Sequence, residues 1–396
     1  MQIKKKYLLA EETIDEKDRM DLIAWLETDP WLTQGKLVRE FESRWAAWLG
    51  VPYAVFVNSG SSANLLMVYA ALLSKRFQTK KVIVPAVSWA TSIAPVIQLG
   101  LEPVLCEADP QTFGLDLNHL EDLIKKHKPS AVMAVHVLGV PNAMQKLLDL
   151  QHRYDFMLLE DSCAATGSRD LGKYVGTFGA MSTFSFFYGH HLSTIEGGMI
   201  CTQDEALCDI LLQIRSHGWA KDLSREKQIQ KAQQAGVSPF NQPFTFYYPG
   251  FNVRSTDLNA RLGLSQMDKL ETVLKRRIEN HKIYQNYFAG DSRFQFQTHP
   301  GAEICSIAFC ALAPDASTRD QIAKVLKEEG IETRPLGGGN MSRQPFWKAR
   351  YPEIHLPVAD RIEQTCFQLP NHPRLLPEDI HFICGTALSV FSRLKT

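Results

Sequence analysis

The 396-residue chain reads as an α/β protein: a large domain on a mixed, mainly parallel sheet, followed by a smaller α+β domain. Three observations predict this. Between residues 53 and 160, short apolar runs alternate with stretches of helical periodicity, the rhythm of βαβ units with helices on both sheet faces. Two of the strand-like runs end in polar residues, where α/β proteins keep their chemistry. Beyond residue 290 the rhythm gives way to isolated strands and helices. The expected boundary lies between 265 and 266, giving domains 1–265 and 266–396 joined by a long helix.

Taken in order, residues 11–30 predict a helix with Met20, Leu22, Ile23 and Leu26 inward and Asp18, Asp21 and Glu27 outward. Leu37, Phe41, Trp45 and Trp48 then recur at three- and four-residue spacing, the apolar stripe of a second helix. Residues 53–57 form a strand, 58–62 a tight turn and 63–73 a helix. A strand, a small-residue turn containing Gly60, Ser61 and Ser62, and a helix gather free N–H groups at one point. That is a ready phosphate site, although many such turns hold no ligand. Residues 81–85 form a buried strand, and Trp89 just beyond it is either core or a flat apolar face for a ring.

Strands at 103–107, 131–138 and 156–160 are expected to alternate with helices at 117–127 and 142–153. The last of these strands ends in Glu160-Asp161. Asp161 there is either a helix N-cap or a catalytic-site acid. After a helix beginning near Glu205 comes Arg215-Ser216-His217-Gly218-Trp219, in which His217 either lines a pocket or is structural. Residues 222–243 are polar and read as a surface excursion over the site. Ser255 is expected to cap a long helix carrying Leu258, Leu262, Met267, Leu270 and Leu274. The remainder predicts a strand at 304–312, a helix at 318–329, an edge strand at 331–335 stopped by proline, a turn at 369–373 and a closing helix at 377–390.

Composition narrows the function. Lys+Arg and Asp+Glu are equal at 43 each, which argues against bulk nucleic-acid binding and against a polybasic membrane contact. The eight cysteines include no CxxC pair and read as reduced thiols. The start, MQIKKKYLLAEET, has no apolar core for export, and no run approaches a membrane helix. A cytoplasmic protein without a metal site is expected.

The stretch with most chemistry is 183–201, TFSFFYGHHLSTIEGGMIC. Two short strands hold a turn carrying His190 and His191, a stiff platform for a catalytic group. Taken alone, paired histidines in a turn are more often solvent-facing or structural.

This stretch resembles the active-site segment of the DegT/DnrJ/EryC1/StrS family of sugar aminotransferases, pyridoxal phosphate enzymes of aspartate aminotransferase-like fold (fold type I). The family segment reads F-S-F-x-x-x-K-x-x-x-x-x-E-G-G, and its lysine tethers the cofactor. His190 stands at that position here. The exchange resembles a small branch that removes the C3 hydroxyl of nucleotide-linked 4-keto-6-deoxyhexoses, with glutamate restoring the cofactor's amine form. By the same resemblance, Gly60, Ser61, Ser62, Trp89, Asp161, Ser185 and Asn252 contact pyridoxal or pyridoxamine phosphate. Asp161 would face the ring nitrogen. Asn252, in the family's P-G-Y-N-V-R-like segment, would reach the neighbouring subunit's cofactor phosphate, so a homodimer with shared sites is implied. His217, Arg254 and Arg334 are the substrate candidates. Relatives carry Gln or an acid where this chain has Ala164, and Ser162, Thr166 or a water would have to replace that contact. A second branch with histidine at this place holds an iron–sulfur cluster through closely spaced cysteines including C-x-C, which this chain lacks. A catalytically inactive scaffold of the same fold is the remaining alternative.

Overall fold

The structure, a computed structural model, describes residues 5–393. Residues 1–4 and 394–396, the outer ends of the two expected domains, lie outside the described residues. In chain order the elements are α1 (Glu16–Leu26), α2 (Lys36–Leu49), β1 (Tyr53–Val57), α3 (Gly60–Leu73), β2 (Lys81–Pro85), α4 (Ala90–Gln98), β3 (Glu102–Cys106), α5 (Leu117–His127), β4 (Ala131–Val135), α6 (Met144–Tyr154) and β5 (Met157–Asp161). A small hairpin, β6 (Arg169–Asp170) and β7 (Lys173–Tyr174), precedes β8 (Met181–Ser185), β9 (Gly198–Thr202), α7 (Glu205–Ile214), α8 (Arg225–Gln234), α9 (Asp257–Met267) and α10 (Leu270–Ala289). The chain closes with β10 (Gln295–Phe296), β11 (Ala308–Leu312), α11 (Ala316–Glu328), α12 (Pro345–Lys348), α13 (Pro357–Thr365), β12 (Cys366–Pro370) and α14 (Pro377–Arg393).

Seven strands make one sheet in the order β1-β9-β8-β5-β4-β2-β3. Only β9 runs against its neighbours; the β8-β5-β4-β2-β3 pairs are all parallel. Side-chain alternation along the strands builds the layers. Val82, Val84, Met133 and Leu159 pack into the core shared with α3, α4 and α7. Their neighbours Ile83, Val132 and Leu158 pack on the opposite face with Leu120 of α5 and Leu147 of α6. Strands covered on both faces need apolar residues at every position, which is why these read as unbroken apolar runs.

The same alternation positions the 183–201 stretch. Phe184 and Phe186 enter an aromatic core with Phe41, Trp45 and Phe56, and the Phe41–Phe56 rings meet edge to face with centroids 5.0 Å apart. Ser185 and Thr183 therefore face the other way, towards α3. Towards the C-terminus, the antiparallel sheet β10-β11-β12 packs Phe309, Phe367 and Leu369 against Tyr284 and Phe288 of α10 and Ile380 of α14.

Several expectations are corrected. The face of α1 is inverted: Asp18 is buried, whereas Met20, Ile23 and Leu26 are exposed. Asp18 closes a capping box with Asp15 and accepts from Ser265 Oγ and Lys269 Nζ, so a polar network, not an apolar stripe, seats the helix. Helix α3 starts three residues early, because Ser59 caps it. Strand β4 stops at Val135, since the chain turns left-handed at Leu138 (φ 53). Thr256 rather than Ser255 caps the next helix, and the long helix is two, α9 and α10, broken at Asp268-Lys269. Residues 222–243 contain α8, anchored to α7 by Lys227 on Glu205 and Asp209. Residues 331–335 form no strand. Ile331 makes a lone bridge with Tyr7, and Arg334 accepts from Gln368 N at 3.0 Å before Pro335, which has no N–H, ends the pairing.

Candidate active site

The floor of the site lies at the C-terminal ends of the parallel strands. Asp161, the last residue of β5, is buried, with Oδ2 accepting from Asn64 Nδ2 at 2.8 Å and Ser92 Oγ at 2.7 Å. Its Oδ1 accepts from the Cys163 amide at 3.1 Å. Asn64 is itself held, since Thr183 Oγ1 donates to its Oδ1 at 2.6 Å. The carboxylate thus has three donors on three segments, which fix its orientation. Glu160 next to it has a different task. It projects to the other face and takes the amides of Gly176, Phe178 and Gly179, with His136 Nε2 at 3.1 Å. Of the two adjacent acids, one locks a loop and the other serves the cleft.

At the amino end of α3, Ser59 Oγ takes the Ser62 amide at 3.0 Å, and no hydrogen bond among the described residues occupies the Gly60 or Ser61 amide. These first-turn N–H groups and the helix dipole suit a phosphate. The backbone here is pressed between neighbours. A Cβ at Gly60 would lie 2.6 Å from Ser185 Cβ and 3.1 Å from Cys163 Sγ, and one at Gly198 would lie 2.3 Å from the Ser59 carbonyl oxygen. The Gly197-Gly198 pair in the 183–201 stretch is thereby explained: β9 runs directly beneath the turn. Ser61 Oγ reaches Thr91 Oγ1 at 3.2 Å, tying the amino ends of α3 and α4 together.

The two histidines separate as the two acids do. His191 is buried, its Nε2 bonded to the Cys305 carbonyl at 2.8 Å, and burial holds its ring well below the ordinary histidine range. His190 is half-buried and its Nδ1 bonds the Cys163 carbonyl at 2.8 Å. A carbonyl only accepts, so Nδ1 carries the proton and Nε2 is the basic atom. Desolvation by the surrounding protein lowers the His190 pKa to about 4, further than the near-neutral value its residue type suggests. The Cys163 carbonyl opposes that shift, and Arg277 adds to it. At pH 7 this ring is a neutral proton acceptor.

The rim is less connected. Trp89 is 61% exposed, an unusual state for a large apolar ring unless something flat covers it. A Cβ at Gly337 would lie 3.4 Å from its ring, so the 336–340 segment flanks one side. Asn252 is exposed and joins Ser216 through a lone backbone bridge. Arg254 Nη1 donates to Ser216 Oγ at 3.0 Å. His217 is exposed in a left-handed conformation (φ 62), its amide held by the Phe251 carbonyl at 2.6 Å. Arg334 is exposed and its Nε donates to Gln368 Oε1 at 3.1 Å.

Among the sequence-derived candidates, Gly60, Ser61, Ser62, Asp161, Ser185 and His190 therefore converge. Asn252, Arg254, His217 and Arg334 share no hydrogen bond with that group. Sequence reading missed Asn64, Ser92 and Thr183, the residues that hold Asp161. The one available signal was a lone Asn inside the apolar run of α3 (ANLLMVYAALL), a polar group that burial obliges to find a partner. Ser162 does not replace the polar group absent at Ala164: its Oγ is buried near Gly176, on the Glu160 side of the strand. Among the described residues no three His, Cys, Asp or Glu side chains gather as metal ligands would.

A phosphate cradle, an oriented carboxylate at a strand end, a flat exposed ring and a basic imidazole in one cleft fit pyridoxal phosphate and its amine form. The class is therefore that of the pyridoxal phosphate enzymes with the aminotransferase fold. More narrowly, the chain belongs to the DegT/DnrJ/EryC1/StrS aminotransferase family, whose sequence profile matches residues 13–387, and pyridoxal 5'-phosphate or pyridoxamine 5'-phosphate is its cofactor. It is 37% identical over 337 residues to a Yersinia pseudotuberculosis protein named GDP-4-keto-6-deoxy-D-mannose 3-dehydratase, covering 84% of each chain. It is also similar to the solved structure of a GDP-4-keto-6-deoxymannose-3-dehydratase with a trapped PLP–glutamate geminal diamine. That match has a TM-score of 0.89 at 32% identity and covers 96% of this chain and 100% of that one. A histidine-to-asparagine mutant of that kind of enzyme with bound GDP-perosamine matches with a TM-score of 0.88 at 32% identity over the same shares.

Proposed function

We propose that this chain removes the C3 hydroxyl of a nucleotide-linked 4-keto-6-deoxyhexose, GDP-4-keto-6-deoxy-D-mannose being the first candidate. Glutamate restores the amine cofactor, and ammonia is released. The setting would be cytoplasmic synthesis of a dideoxysugar such as colitose for lipopolysaccharide. The observation that carries this reading is His190: a neutral imidazole with Nε2 as its basic atom stands where aminotransferases of the family have the tethering lysine. The names of the relatives support the same substrate class.

Pyridoxamine phosphate, when bound, supplies an amine for the ketone and a ring that withdraws electrons. The chain's own residues do the rest. Asp161, held in place by its three donors, would stand against the ring nitrogen and hold it protonated. Gly60 and Ser61 offer amides to the phosphate, Ser62 and Ser185 flank them, and Trp89 gives the ring an apolar face. His190 Nε2 takes a proton in each half-reaction and returns it, and an imidazole does so without forming a lasting covalent tether. His217, Arg254 and Arg334 are read as contacts to the nucleotide sugar, and Asn252 as a contact to the cofactor phosphate of a second copy in a homodimer. Residues 1–265 are read as the cofactor-binding domain and 266–396 as the smaller domain.

The test is mass spectrometry of products from a panel of GDP- and CDP-4-keto-6-deoxyhexoses, incubated with the cofactor and glutamate. The expected product is a 3-deoxy ketone with ammonia released. An amino sugar as product would make the chain an aminotransferase, and a requirement for a reductase and an iron–sulfur cluster would favour the CDP-sugar branch. No turnover of any member would favour the inactive scaffold.

A further inference from the structure

Behind the His190 turn lies a buried cation without a counter-ion. Arg277 of α10 is fully buried, and its bonds end on carbonyls: Ile307 at 3.2 Å, Asn371, and His190 itself at 3.3 Å. Its Nε has no partner, and among the described residues no carboxylate forms an ion pair with it. Asn371 reciprocates, donating Nδ2 to the Arg277 carbonyl at 3.1 Å and to Ser306 Oγ at 2.9 Å. Three segments far apart in sequence are thus tied to one side chain. A buried guanidinium is expensive and, unlike a lysine, keeps its charge; burial lowers it only to about 10. An apolar residue would fill the space at less cost, so the charge asks for a reason.

We propose that Arg277 is a positioning residue for His190: it pins the carbonyl of the His190 turn to the 307 and 371 segments and places a fixed positive charge beside that turn. The inference rests on the reading of His190 as the proton carrier. The groups facing His190 are few. On its own turn are the Phe187 ring, centroid 6.4 Å away, and neutral His191. From the end of β5 come the Cys163 carbonyl and the Asp161 carboxylate, both of which favour a protonated ring. Arg277 from α10 and Arg334 from the 331–336 segment oppose it. Arg334 is exposed and screened by water and salt, whereas Arg277 is not. The same buried charge disfavours protonation of His191 and His372. One fixed cation therefore biases three rings around the turn.

The experiment is an NMR titration of the imidazole signals in cofactor-free protein, with His190 assigned by its absence in His190→Asn. Needing no sugar and no turnover, it stands or falls separately from the dehydratase reading, which the product analysis tests. In the wild type, His190 should titrate near 4. Arg277→Lys, which keeps the charge, should leave that value low. Arg277→Gln should raise it, because a like charge beside the ring is lost. Arg334→Gln should move it far less. A wild-type titration at the ordinary histidine value, coincident curves for wild type and Arg277→Gln, or an equal shift from Arg334→Gln would each overturn the proposal. Where Arg277→Gln does not fold, Arg277→Met, which fills the space without the charge, takes its place: a His190 titration coincident with wild type overturns the proposal, and a raised one supports it.

Discussion

The floor and the rim of the cleft are built on opposite rules. At the floor, Asp161, Asn64, Ser92 and Thr183 are buried and satisfy one another within a single chain. At the rim, Trp89, His217, Asn252 and Arg334 are exposed and weakly tied. The difference has a physical cause. A buried polar group without a partner costs about 1–3 kcal/mol, so the floor must be finished by the fold itself. An exposed group is satisfied by water and can wait for a ligand or for a second copy of the chain. The floor should therefore decide chemistry and stability together, and the rim should decide retention and selectivity with little effect on stability.

The sharpest break of this contrast is at His190. His190→Asn should fold and bind cofactor but lose both half-reactions by about 10²–10⁴-fold, the range for a missing general acid–base. His190→Lys should become covalently labelled when loaded with pyridoxal phosphate and treated with borohydride, whereas the wild type keeps its unmodified mass. Labelling of the wild type would mean that another lysine is the tether. Sustained dehydration by His190→Asn would move the base elsewhere, with His217 next to be tested.

Asp161→Asn should leave the fold largely intact and reduce turnover by about 10²–10³-fold, as for loss of one preorganised electrostatic partner. Near-normal turnover would remove Asp161 from its role. Asn64→Ala probes the floor from behind. It leaves the Thr183 hydroxyl without its acceptor and takes one of three donors from Asp161, so unfolding stability should fall by about 1–3 kcal/mol, with a smaller loss of turnover than in Asp161→Asn. A denaturation midpoint equal to wild type would show that water replaces the Asn64 side chain without cost.

At the rim, Asn252→Ala should not change the denaturation midpoint but should weaken cofactor retention by about 1 kcal/mol, the net worth of one hydrogen bond. The shared-site reading fails if the enzyme sediments as a monomer at assay concentration and is active there.

Acid gives the gentlest test. His190 and His372 are held near pKa 4 and His281 near 3, all by burial. In the unfolded chain these rings bind protons near 6.5, so below that pH the unfolded state takes up protons that the native state does not. Their contribution to stability is full above about 6.5 and is lost as pH falls towards 4. Denaturant midpoints should be lower at pH 5 than at pH 7, and His190→Asn should show the smaller drop.

Much of this was readable in the residues. Apolar runs covered on both faces have one solution, a mainly parallel sheet, and β1, β2 and α5 fall where periodicity puts them. The 58–62 turn, the acid at the end of β5 and the histidine turn are local patterns, and a local pattern survives in one dimension. What failed was whatever depended on a neighbour far along the chain. The face of α1 was set by Ser265 and Lys269, about 250 residues away, which offered Asp18 a buried network that no propensity encodes. Glu160 and Asp161 carry the same carboxyl chemistry, and His190 and His191 the same imidazole, so composition alone gives neither pair its division of labour. Alternation along β5 and the approach of Gly176, Asn64, Cys163 and Cys305 gave one member of each pair to the frame and the other to the cleft. Sequence by itself determined which chemical groups exist and which local elements carry them. Tertiary structure alone decided which are buried, which atom of His190 keeps its proton and which cation holds its carbonyl, because burial and charge act through space and not along the chain.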